Sequence, residues 1–161
     1  MPKIIGIDPG LAETGIGLVM GSGVKVDGYS FGTIHTPAHT GLPARLHQIY
    51  SQLLAVLTEE KPDLMLVEDI FSVEKYPKSG IMLGKVTGVI LLAGCQADVA
   101  VSEVSVREAK QILTGNGNAG KAQLEKSVRH ILNSDIPIKP SHASDAMALA
   151  LIGLFRYSSL I

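Results

Sequence analysis

The chain has 161 residues, 46% hydrophobic and 18% charged, which suits one compact domain with a real core and excludes a disordered chain. Aromatics make up only 4% and there is no Trp, so the core must come from Val, Ile, Leu, Ala and Met. A net charge of −1 excludes a whole-chain basic signature for nucleic acid and leaves any such role to local patches.

Residues 3–8 (KIIGID) read as a short buried strand, with no signal peptide before it, ended by Pro9-Gly10. Thr14–Met20 alternates Gly with apolar residues and reads as a second strand, and 24–36 as a third. Gly21-Ser22-Gly23 is the expected hairpin turn between them. After a loop over 37–43, residues 44–60 place Leu46, Ile49, Leu53, Val56 and Leu57 on one helical face, and Lys61-Pro62-Asp63 breaks the helix. Leu64–Val67 reads as a buried parallel strand and 69–78 as a polar loop. A glycine-bearing helix follows over 79–97. The apolar stretch 81–97 is interrupted by Lys85, Thr87, Gln96 and glycines and reads as too mixed for a membrane span. Cys95, the single cysteine, cannot form an internal disulfide. It reads as a small buried hydrophobe, consistent with a reducing, cytoplasmic setting. Residues 99–104 form another strand, and Ser105-x-x-Glu108 is a capping box opening a helix to about Leu113. A Gly/Asn turn at 115–118, a helix over 120–132 and a last helix capped by Ser141 complete the chain. The expected fold is therefore α/β: a mixed five-stranded sheet, three antiparallel strands then two parallel, flanked by helices in a single domain over 1–161.

Three carboxylates sit where such a fold gathers ligands. Asp8 ends the first strand, Glu68 ends LMLVE, and Asp145 lies at the start of the last helix, three residues after His142 on the same face. Each has a plain structural reading: a turn cap for Asp8, a solvent-facing strand end for Glu68, and a favourable charge at a helix start for Asp145. Together they point to a divalent-cation site for phosphodiester chemistry, because carboxylates repel one another and are costly to gather without a cation. Two ions would suit, with Asp8 as the bridging ligand. Mg²⁺ prefers oxygen donors, whereas Mn²⁺ tolerates imidazole better, so His142 is either a ligand or a proton-transfer group. His35 and His39 flank Pro37 and read as loop residues.

The motifs IIGIDPG with TGIG, VEDIF, LGKVTGV, AKQILTGNGNAGK and HASDAMALA resemble, in this order, the RuvC family of Holliday-junction resolvases within the RNase H-like nucleases. The resemblance spans nearly the whole chain. It implies an Mg²⁺-dependent homodimeric endonuclease that cuts two opposing strands of a four-way DNA junction in recombination and repair, cooperating with the RuvA–RuvB branch-migration complex. It puts Asp8, Glu68 and Asp145 on acidic catalytic positions, and His142 on one that is often Asp. It also implies base stacking by Phe71, and phosphate contacts by Lys110 and Lys121. Read from the residues themselves, Arg107, Lys110, Lys121, Lys126 and Arg129 form a local basic patch, Gly115 and Gly117 let backbone N–H groups approach phosphate, and Lys75 and Lys78 are expected to add contacts on the other rim. The Gly84/Gly88 helix reads equally well as buried in the monomer or as a two-fold interface. Two other readings compete. A nucleotide-binding ATPase of the actin and sugar-kinase type would need a second domain. A non-catalytic junction-binding protein on the same fold would account for His142 in place of an acid.

Overall fold

The computed structural model describes residues 1–70 and 77–157. Strands β1 (Lys3–Asp8), β2 (Glu13–Ser22) and β3 (Lys25–His35) form an antiparallel meander, followed by α1 (Leu42–Glu60) and β4 (Leu64–Glu68). Then come α2 (Pro77–Gln96), β5 (Ala100–Val104), α3 (Val106–Thr114), α4 (Lys121–Ile131) and α5 (Ser141–Tyr157). The sheet runs β3-β2-β1-β4-β5, with β4 parallel to both β1 and β5. This is the expected mixed, five-stranded α/β architecture.

Side chains alternate across a strand, so each strand of the sheet serves two cores. Ile4, Val19, Leu66 and Val104 face a layer built mainly from α5 with α3 and α4. Ile5, Ile7, Leu18, Met65 and Val67 face α1 and α2. Helix α5 is buried almost all round, from Ala143 to Leu154, as its Ala-, Leu- and Met-rich sequence requires. It lies so close to the sheet that β1 and β2 present glycine beneath it. A Cβ on Gly6 would come within 2.1 Å of the Ala146 carbonyl oxygen, and one on Gly15 within 2.0 Å of the His142 carbonyl oxygen.

Local details depart from the sequence reading where backbone geometry decides. The β2–β3 turn is Gly23-Val24, with Ser22 paired to Lys25 and an irregularity at Met20/Gly21, so Gly21 and Ser22 belong to the strand. Helix α1 starts at Leu42 because Pro43 is tolerated in a first turn. It stops where Lys61 turns left-handed ahead of Pro62. Only half of the capping box forms: the Ser105 hydroxyl accepts from the Glu108 amide at 3.2 Å, while the Glu108 carboxylate pairs with Arg156. Cys95 is exposed, not buried, because α2 turns that face away from the core. By length and composition α2 could cross a bilayer, contrary to the sequence reading, yet its Val86, Ile90 and Ala93 are buried in the core shared with α1.

Gly6→Ala should destabilise the fold by about 3 kcal/mol, since its methyl would collide with α5 backbone rather than with a movable side chain. Gly32→Ala, with nothing among the described residues within 4 Å of its Cβ, should be close to neutral. Urea titrations of both variants check the contrast.

Candidate active site

Strand parity builds the site. Asp8 shares the α5-facing side of β1 with Ile4 and Gly6, and Glu68 shares that side of β4 with Leu66. The parallel register pairs Ile7 with Val67, so Asp8 and Glu68 fall next to each other one residue further on. Helix α5 starts above this point and delivers His142 and Asp145. All four line one cavity of about 330 Å³, together with Lys110 from α3 and Lys121 from α4. Gly15 is what lets the first turn of α5 come down to the strand end, because any side chain there would strike His142 backbone.

Asp8 is buried at 5% exposure, and the His142 Nδ1–H donates to its Oδ2 at 2.7 Å. That hydrogen bond is the main cause of a raised His142 pKa. Glu68 is pushed up to about 9, first by burial and then by its hydrogen bond to Asp8 and the charges of Asp8 and Asp145, with Lys121 opposing. Asp145 is also raised, chiefly by burial and then by Asp8, while Lys121, His142 and Lys110 act the other way. Glu68 thus keeps its proton at neutral pH, because burial penalises its charged form and neighbouring carboxyls add to that penalty. Among the described residues, no three His, Cys, Asp or Glu side chains form a ready-made metal-ligand group. The donor chemistry still fits a hard divalent cation: three carboxylates whose mutual repulsion only a proton or a cation relieves.

The remaining expected residues separate into distinct places. Lys110 and Lys121 stand on the cavity wall. Lys78 is exposed in the first turn of α2, and Phe71 and Lys75 lie outside the described residues. Arg107 is exposed and packs its side chain beside Gly117, away from the cavity lining. Gly115 is the left-handed cap of α3, its amide donating to the Gln111 carbonyl at 3.0 Å. The Gly117 amide donates to Gln111 Oε1, also at 3.0 Å. Both amides are used within the loop, so the phosphate-cradling role expected for these glycines finds no support in this geometry. Asp69 was not anticipated. It lines the same cavity as Glu68, because β4 ends at Glu68 and the alternation that would turn Asp69 away no longer applies. Its adjacency to Glu68 was the available signal.

A mixed sheet of this order, flanked by helices and with a carboxylate-lined cavity at the carboxyl ends of β1 and β4, has the architecture of the RNase H-like class. The family model described as crossover junction endodeoxyribonuclease RuvC matches residues 4–153. A protein of that name from Syntrophomonas wolfei is 40% identical, with 96% of this chain and 90% of that one covered. Another from Carboxydothermus hydrogenoformans is 37% identical over 99% of both. The solved structure of T. thermophilus RuvC in complex with Holliday junction substrate superposes with a TM-score of 0.91 at 29% identity, covering 99% of this chain and 96% of that one. The chain belongs to the RuvC family of crossover junction endodeoxyribonucleases.

The Glu68 shift has a thermodynamic sign. Its folded-state pKa lies above the ordinary 4.5, so the stability it contributes is complete below about 4.5 and is lost as pH rises through about 9. In EDTA, melting temperature should fall across that window, and Glu68→Gln should flatten the fall. Calorimetric scans at stepped pH check this, and an unchanged slope in the variant would remove Glu68 as its source.

Proposed function

We propose that this protein resolves four-way DNA junctions by hydrolysing one phosphodiester bond in each of two opposing strands, using the Asp8, Glu68, Asp145 and His142 cavity. The observation that carries the reading is the convergence of these four side chains, distant in sequence, on one cavity walled by Lys110 and Lys121. A cavity negative at its floor and positive at its rim suits a phosphodiester only when the floor is neutralised by cations. Asp8, Glu68 and Asp145 would hold Mg²⁺, with two ions per site and Mn²⁺ as a substitute. Such ions supply water activation and stabilisation of the leaving oxygen.

The chain's own groups do the rest. Asp8 holds the imidazole of His142 through Nδ1, which would leave Nε2 to ligate or to pass a proton. Glu68 gives up its proton when the cavity charges become balanced. Lys121 and Lys110 draw the DNA phosphate to the rim and offset the carboxylates. Phe71 is proposed to stack on an unpaired base, and Lys75 and Lys78 to meet backbone on the opposite rim.

A junction with two-fold symmetry calls for two such sites, and α2 offers the surface for pairing. Ile81 and Leu92 are 64% and 55% exposed. Among the described residues nothing lies within 4 Å of a Cβ on Gly84 or Gly88, so these two positions face away from the described core. The four positions follow a helical stripe, 81-84-88-92, that suits close approach of a second copy. The expected setting is the cytoplasm, where the RuvA–RuvB complex would present the junction.

Asp8→Asn should bind a synthetic junction normally and cut it at least about 100-fold more slowly in Mg²⁺ or Mn²⁺. Normal cutting would refute the site assignment, and a wild type that binds without nicking in either metal would favour the non-catalytic reading. Gly88→Arg should shift the protein from dimer to monomer in sedimentation velocity. A dimer that survives the substitution would move the interface elsewhere.

A further inference from the structure

We propose that Gln111 is a positioning residue for strand cleavage: its side-chain amide ties the α3–α4 loop back to α3 and so fixes Lys121 relative to Lys110 on the cavity wall. The inference rests on the nuclease reading above and deepens it. Lys110 lies in α3, one residue before Gln111, and Lys121 is the first residue of α4. Both line the catalytic cavity, so the loop 115–120 that joins the two helices also sets one lysine against the other.

Each amide from 115 to 119 finds an acceptor within this segment. Gly115 donates to the Gln111 carbonyl at 3.0 Å, Asn116 to the Thr114 hydroxyl at 3.1 Å, and Gly117 to Gln111 Oε1 at 3.0 Å. Asn118 donates to Asn116 Oδ1 at 2.9 Å, and Ala119 to the Asn116 carbonyl at 3.0 Å. Gln111 also acts in the other sense, its Nε2 donating to the Gly115 carbonyl at 3.1 Å. One planar amide therefore grips the loop at two residues, by donor and acceptor together, which fixes direction as well as distance. The seat is close: a Cβ on Gly117 would lie 3.4 Å from Gln111 Oε1 and 3.2 Å from the Arg107 side chain.

Gln111 is exposed and belongs to neither core, so its side chain is not there for packing. The body of α4 is anchored by the buried Leu124 and Val128. Its first turn has less to hold it: the helix starts at Gly120, with no side-chain cap among the described residues. Nor, among the described residues, does Lys110 or Lys121 have a salt bridge to hold its ammonium in place. The direction in which Lys121 leaves the loop is therefore set by the bonds just before it. That direction matters, because Lys121 opposes the charges of both Glu68 and Asp145, and Lys110 that of Asp145. A catalytic group displaced by about 1 Å can cost a reaction about 100-fold.

The test uses the full chain and a synthetic four-way junction. Gln111→Met keeps the length of the side chain and removes both of its hydrogen bonds. Being at an exposed position, it should leave the melting temperature nearly unchanged, while hydrogen exchange at the Gly117 amide quickens about fivefold. Junction affinity in EDTA should change less than about threefold, whereas the single-turnover cutting rate in Mg²⁺ should fall about tenfold. Lys121→Ala supplies the discriminating background. There Gln111→Met should slow cutting by less than about twofold further, because the clamp acts through that lysine. A merely structural glutamine would instead lower the melting temperature and cost the same factor in both backgrounds. That equal cost, wild-type cutting by Gln111→Met, or wild-type cutting by Lys121→Ala would each overturn the clamp while leaving the nuclease reading intact. A wild-type protein that binds the junction without nicking it would instead remove the reading on which the clamp rests.

Discussion

The near-contact of α5 with the backbone of β1 and β2 is the constraint on which the rest depends. Gly6, Gly15 and Gly17 leave no side chain between the helix and the sheet, and a Cβ at any of them would meet α5 backbone within 2.6 Å or less. This closeness has two effects at once. It buries a long apolar helix against the sheet, and it sets the helix's first turn at the height of the strand ends. His142 then reaches Asp8 at hydrogen-bonding distance, and Asp145 enters the same cavity as Glu68. A bulkier residue under the helix would lift core and site together.

The cavity is assembled against its own electrostatics. Burial and mutual repulsion hold Glu68 and Asp145 above their ordinary pKa values, while Asp8 keeps His142 protonated to a higher pH than usual. Lys121 acts on every one of these shifted groups. The scaffold around them is rigid: the strand ends are fixed by the parallel register and the helix by its buried length. A fold can carry such an unfavourable cluster because its large apolar layers, not the polar site, supply the stability.

What was legible in the sequence followed from periodicity. Strand alternation placed Asp8 and Glu68 at strand ends, and the helical repeat put His142 beside Asp145, so the main members of the cavity could be named in advance. The order of elements likewise followed from apolar runs separated by Pro and Gly. Contacts that depend on a third partner were not readable. Gln111 takes up the amides expected at Gly115 and Gly117, and Arg156 draws Glu108 out of the capping box. Cys95 illustrates the same limit, since an apolar neighbourhood in sequence does not tell which side of a helix faces the core. Asp69 was not singled out because it lies just past the end of β4, where strand alternation no longer says which way a side chain points.

Helix α2 carries one more consequence. Its Leu83 forms part of the cavity wall, while Gly84 and Gly88, on a neighbouring face, look outward. One helix thus borders the catalytic chamber on one face and open surface on the next, and a partner seated on that surface would lie a single helix diameter from the carboxylates.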